Sequence, residues 1–158
     1  MDGTSRSKDY ADLLRELNAE KAEYLVVGAH ALAYHGHIRA SFDFDVWIRP
    51  TRENAERVHR ALTRFGAPMD QITVEELMSD DLVFQIGVAP SRIDVMTSIS
   101  GAEFDEAWGR REEGTYMDVP LAVPSLLDLV ANKRASARPK DLVDVEELRR
   151  INPAARNM

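Results

Sequence analysis

Two aspartates one residue apart, Asp43 and Asp45, head the apolar run Val46-Trp47-Ile48, and no other feature limits the fold as strongly. Strands disfavour aspartate, so a pair at a strand head calls for a reason. In an extended strand, residues two apart share a face. Asp43 and Asp45 therefore project together, with Phe44 and Val46 on the opposite side. Two carboxylates on a rigid strand repel each other unless a cation sits between them. Magnesium prefers such oxygens, commonly taking one or two protein carboxylates and completing its shell with substrate phosphates.

The flanking sequence reads as a mixed α/β pattern. Asp9 to Glu20 has helical apolar spacing. Tyr24 to Val27 is a short β-branched-rich strand closed by Gly28, and Ala29 to Tyr34 is an Ala-rich helix ending near Gly36. Phe44 to Ile48 is the second strand, stopped by Pro50. Thr51 N-caps a helix whose apolar face runs to Phe65, before Gly66 and Pro68. Val74 to Met78 reads as a short helix. Leu82 to Ile86 and Arg92 to Ser98 form a hairpin across "GVAPS". A short helix follows near Glu103 to Trp108. Thr115 to Val123 reads as one strand, with Pro120 demanding an edge or a bulge. Ser125 and Pro139 then open two closing helices. The expected class is α/β (α+β): a mixed sheet flanked by helices, with a C-terminal helical segment. One domain over residues 1–158 is expected, with the sheet core at 24–123 and the helices at 124–151.

A third acid strengthens the metal reading. Asp94 lies inside an apolar strand between Ile93 and Val95. If that strand lies beside the Asp43–Asp45 strand, three aspartates converge, as in sites where two metals clamp the attacking and leaving oxygens of a phosphoryl displacement. The competing account leaves the first pair at a solvated strand head and Asp94 on an exposed face. Gly28 fits the metal reading, because a glycine between strand and helix lets backbone approach a ligand and turns amides toward a phosphate. Neither G-x-x-x-x-G-K-[ST] nor G-x-G-x-x-G is present, so neither a P-loop nor a dinucleotide fold is indicated.

Composition bounds the partners. The chain has 158 residues, 30% of them charged, and a net charge of −7, which argues against a broad nucleic-acid-binding surface. The basic run Lys133 to Lys140 reads first as a solvated inter-helix turn. No cysteine is present, which excludes disulfides and thiolate metal sites. No apolar run approaches the ~20 residues of a membrane span, and from the polar start no secretory signal is expected. A cytoplasmic protein without membrane association is expected. His35 and His37 lack a zinc-site spacing and read as a helix-end pair. His30 and His59 read as helix-surface residues, and Trp47 and Trp108 as core.

The stretch "GAHALAYHG" followed by "RASFDFDVWI" resembles the DNA polymerase β-like nucleotidyltransferase superfamily, and within it the minimal AbiEii-type proteins of abortive-infection systems. Gly28, Ala31, Leu32, Gly36, Arg39, Ser41, Asp43 and Asp45 fall on that pattern. Lys133, Arg138, Lys140, Asp141 and Asp144 match its C-terminal helical segment. The resemblance implies Mg²⁺-dependent (or Mn²⁺-dependent) transfer of a nucleoside monophosphate from an NTP to an RNA, protein or small-molecule acceptor. It implies that Asp43, Asp45 and Asp94 are catalytic and metal-binding, with Gly28, Ala29, Arg39, Ser41 and Lys133 on the substrate. Lys133 is expected on the β- or γ-phosphate. Arg39 is expected either there or paired with Asp43. Ala29 departs from the Ser or Gly usual in the superfamily and leaves only a backbone amide for the triphosphate. That departure favours a rival, a non-catalytic module that binds nucleotide, or a partner protein in a toxin–antitoxin-like pair, without turnover. A metal-dependent phosphohydrolase is a third reading, and a homo-oligomer is compatible with all three.

Overall fold

The computed structural model describes residues 3–40, 43–88 and 91–158. Helix α1, Gly3–Ala19, buries Tyr10, Leu13, Leu14 and Leu17 along one stripe. Strand β1, Tyr24–Val27, is buried throughout and turns at Gly28 into α2, Gly28–Tyr34. Strand β2 is Asp43–Ile48. Helix α3, Arg52–Phe65, begins where Thr51 Oγ1 accepts from the Asn54 amide at 3.4 Å, and ends at Gly66 in the left-handed region.

Two 3₁₀ turns, Met69–Gln71 and Glu76–Met78, lead to β3, Val83–Ile86, and β4, Arg92–Met96. The turn between these strands lies partly outside the described residues. Helix α4 is Phe104–Gly109. The segment read as a single strand, Thr115 to Val123, instead spans the end of one arm, the turn and the other arm of a hairpin, β5 Glu112–Tyr116 with β6 Val119–Val123. Its corner residues Met117 and Asp118 have φ of 48° and 65°. Positive φ at both corner positions is the signature of a type I′ turn, which usually announces itself with Asn or Gly. Met-Asp carries no such mark. Pro120 needs no bulge: it stands opposite Thr115, and its carbonyl accepts from Asn18 Nδ2 at 2.8 Å.

Helix α5, Leu126–Ser136, is capped by Ser125 Oγ, which accepts from the Asp128 amide at 3.2 Å. Helix α6, Pro139–Ile151, starts with proline in its first turn.

The four-stranded sheet runs β1-β2-β4-β3, with β2 and β4 parallel and the outer pairs antiparallel. One face, carrying Phe44, Val46, Ile93 and Val95, packs beneath α1 and α3. On the other face Leu25, Val27 and Trp47 meet Phe104 and Ala107 of α4 and Ala122 of β6. A third cluster joins Ala31 and Leu32 of α2 to Leu129 and Val130 of α5 and Val145 and Leu148 of α6. The second face is therefore apolar around Trp47. Two residues back along β2, at Asp45, it becomes acidic.

Candidate metal and nucleotide site

The parallel pairing of β2 with β4 sets Asp45 opposite Asp94 and Asp43 opposite Arg92. Same-face alternation then aims all three carboxylates at one place. Each offers an oxygen lying within 4.8 Å of those of the other two. Such crowding raises the free energy of the charged forms. Burial, then the Asp94 and Asp43 charges, push the Asp45 carboxyl up to about 6. Burial likewise raises Asp94, with the Arg92 charge opposing it.

Two further details show a cluster short of partners. Asp94 is only 7% exposed, yet its Oδ1 is buried without a hydrogen bond. An orphaned buried acceptor costs about 1–3 kcal/mol, which a coordinated cation removes. One nitrogen, Arg92 Nη2, donates to Asp43 Oδ2 at 2.9 Å and to Asp94 Oδ2 at 3.2 Å, while Arg92 Nε is buried without a partner. All-oxygen donors, mutual repulsion and a free Asp94 oxygen suit a hard divalent ion such as Mg²⁺ or Mn²⁺.

Gly28 abuts this cluster. Its φ is +68°, and a Cβ there would lie 2.3 Å from Asp45 Oδ2. No other residue allows both that backbone conformation and that approach. Ala29 follows it in the first turn of α2.

Lys133 and Arg39, also expected on the substrate, sit in a second charged cluster with carboxylate partners. Lys133 is buried, with Nζ 3.4 Å from Asp141 Oδ1 and 3.3 Å from Asp144 Oδ2. Arg39 Nη2 donates to Asp144 Oδ2 at 3.2 Å, while Arg92 Nη2 donates to Asp43 Oδ2 at 2.9 Å. His37 Nε2 lies 3.2 Å from Asp144 Oδ1. Arg138 donates from Nε to Asp141 Oδ2 at 2.7 Å and from Nη2 to Oδ1 at 3.2 Å. These contacts tie α5 and α6 to the segment that leads from α2 into β2. The Lys133 charge also reaches Asp45 and lowers its pKa, against the larger effect of burial. Ser41 lies outside the described residues.

The histidines do not gather. His35 Nε2 is 2.9 Å from the Pro124 carbonyl, while His37 faces Asp144. His30, expected on a helix surface, stands edge-on to Tyr10, Phe44 and Tyr116. Burial and the Arg6 charge lower its pKa, which favours the neutral ring.

Arg92 escaped notice in the sequence, although its spacing from Asp94 was a usable sign: residues two apart on a strand share a face. A cleft of about 950 Å³ lies beyond the far end of β2, lined by Trp47, Arg49, Asp81 and Phe104. It includes none of the three acids, and convergent ligand atoms are a stronger mark of chemistry than volume.

No family model matches the chain, and no curated protein matches it in sequence. Among solved structures it is similar to TM1012 of Thermotoga maritima, a "putative nucleotidyltransferase" whose crystal structure was determined at 1.87 Å resolution. The TM-score is 0.61 at 15% identity, covering 95% of this chain and 94% of that one. At that identity the likeness is one of fold. The chain has a nucleotidyltransferase-like fold, a mixed four-stranded sheet flanked by helices. Among the described residues, no helix is long and apolar enough to cross a membrane.

Proposed function

We propose that the chain is a divalent-metal-dependent nucleotidyltransferase of the minimal AbiEii-like type, acting as a single domain in the cytoplasm. The observation that carries this reading is the convergence of Asp43, Asp45 and Asp94 across the β2–β4 pair, with a buried Asp94 oxygen left free. In the reaction an acceptor hydroxyl attacks the α-phosphorus of an NTP, the α–β bridging bond breaks, and pyrophosphate leaves with the electron pair.

Asp43 and Asp45 would hold Mg²⁺ or Mn²⁺, and Asp94 would complete the metal-binding set and orient the acceptor oxygen. Bound there, the metals supply Lewis-acid stabilisation of the phosphoryl oxygens. Gly28 leaves room for the Asp45 carboxylate, and the backbone amides that follow, that of Ala29 included, would offer the triphosphate donors. Arg39 and Ser41, which precede Asp43 in the sequence, would add further substrate contacts. Lys133, held by two aspartates, contributes its positive field, which favours the charge that develops on the leaving pyrophosphate. The acceptor is an RNA, a protein or a small molecule, and a partner protein in a toxin–antitoxin pair fits the AbiEii-like resemblance.

The test is incubation with α-³²P-labelled NTPs, Mg²⁺ and candidate acceptors. Label on an acceptor, lost in Asp45→Asn, is the expected result. Transfer undiminished in that variant overturns the site. Ala29 favours a second reading, nucleotide binding without turnover, which nucleotide retention with no labelled product would support.

A further inference from the structure

Arg92 is the one feature of the acidic cluster that the proposed reaction leaves unused. Its place is fixed by register: β2–β4 pairing sets it opposite Asp43, and strand alternation sets it on the same face as Asp94. From there Nη2 bridges Asp43 Oδ2 and Asp94 Oδ2 at 2.9 and 3.2 Å. A divalent ion coordinated by the free Asp94 Oδ1 and by Asp43 would stand beside this guanidinium on the same two carboxylates, and the two cations would repel each other. The bridge is a poor fit for an arginine. One nitrogen serves both acids, where a guanidinium can engage a carboxylate with two, and Nε and Asp94 Oδ1 are buried without partners. The side chain is also 34% exposed, so a path outward exists.

Resting on the metal-site reading above, we propose that Arg92 is a positioning residue, a tethered counter-ion that holds the space between Asp43 and Asp94 until a divalent cation displaces it. While in place it neutralises part of the repulsion among the three carboxylates and keeps them together. Once displaced, the guanidinium loses both anions at the moment a polyphosphate can supply new ones. Metal and nucleotide then bind cooperatively: metal frees the arginine for the phosphates, and phosphates draw it off the acids. Such coupling is reciprocal. The free site takes up little metal until nucleotide arrives.

The test uses Mn²⁺ alone as a probe, its free concentration read by electron paramagnetic resonance, and then Mn²⁺ with an α,β-methylene NTP. In Arg92→Gln, Mn²⁺ without nucleotide is expected to bind on the order of tenfold tighter than in the unmutated chain. The gain in nucleotide affinity caused by Mn²⁺ should shrink by a similar factor. Arg92→Lys, which keeps a cation, should restore weaker Mn²⁺ binding. A residue that merely braced the fold would weaken metal binding when lost. Equal or weaker Mn²⁺ binding in Arg92→Gln therefore overturns the inference. Should that variant fail to fold, Arg92→Met keeps the aliphatic stem and gives the same comparison. Asp94→Asn separates the two readings. If the unmutated chain binds Mn²⁺ and Asp94→Asn does not, the metal site stands and only the role of Arg92 is at issue. If neither binds Mn²⁺, with or without nucleotide, the site reading fails and the counter-ion role with it.

Discussion

Two clusters of buried charge flank the segment entering β2, and they are built on opposite terms. Between α5 and α6, all four carboxylate oxygens of Asp141 and Asp144 have a cationic or histidine partner. At the head of β2, three carboxylates crowd together, two of them, Asp43 and Asp94, share the bridging nitrogen of Arg92, and Asp94 Oδ1 has no hydrogen bond. The first cluster has settled its charges within the chain and holds elements together. The second keeps repulsion unresolved, which is what a site must do if a ligand is to resolve it. Proximity of charged residues does not distinguish the two, and each leaves an arginine Nε buried without a partner; what differs is whether every carboxylate oxygen is partnered.

Breaking each cluster should give opposite signatures. The largest effect is expected for Asp45→Asn, with transfer activity falling about a thousandfold or more, since a lost metal ligand forfeits several kcal/mol of transition-state stabilisation. Steady-state rates with labelled NTP measure it. Asp144→Ala should act on the fold instead. It leaves Lys133 and Arg39 without their shared anion, costing about 3–5 kcal/mol. At this chain length that lowers the thermal midpoint by roughly 10 °C in calorimetry.

Gly28→Ala links the two regions of effect. The added Cβ collides with the Asp45 carboxylate, so transfer should fall roughly a hundredfold, as displacements of about an ångström do. The accompanying stability loss should be about 1–2 kcal/mol, from placing alanine at positive φ. The smallest expected effect sharpens the contrast most. Asp45 titrates near 6 in the fold against an ordinary 3.8, so the native state there holds its proton more tightly than the unfolded chain does. That contribution to stability is fully present below pH 3.8 and is lost as pH rises through 6. In metal-free buffer at pH 7, Asp45→Asn should therefore stabilise the protein by about 1–3 kcal/mol, and by little at pH 4. Denaturant midpoints at the two pH values measure this.

Short-range signals in the sequence carried much of this. The alternation of Asp43 and Asp45, the lone acid in an apolar strand, the caps at Thr51 and Ser125 and the proline opening α6 are all local. What stayed hidden depends on contacts between distant residues. Arg39 was expected at the phosphates or at Asp43, but its partner Asp144 lies more than a hundred residues away. Lys133 reads as a solvated turn residue until the packing of α5 against α6 buries it. The β5–β6 turn escaped because Met117 and Asp118 adopt a backbone form that neither residue advertises.

The β2–β4 pair carries a kinetic consequence. Parallel strands cannot be joined by a tight turn, and here α3, two 3₁₀ turns and β3 intervene between them. The acids thus belong to contacts of high sequence separation, which form slowly because chain closure comes before any reward. A nascent or partly assembled chain owns the same aspartates but no chelating pocket. On the proposed reading, metal capture would follow the completion of assembly, and the ion would not serve as the nucleus that begins it.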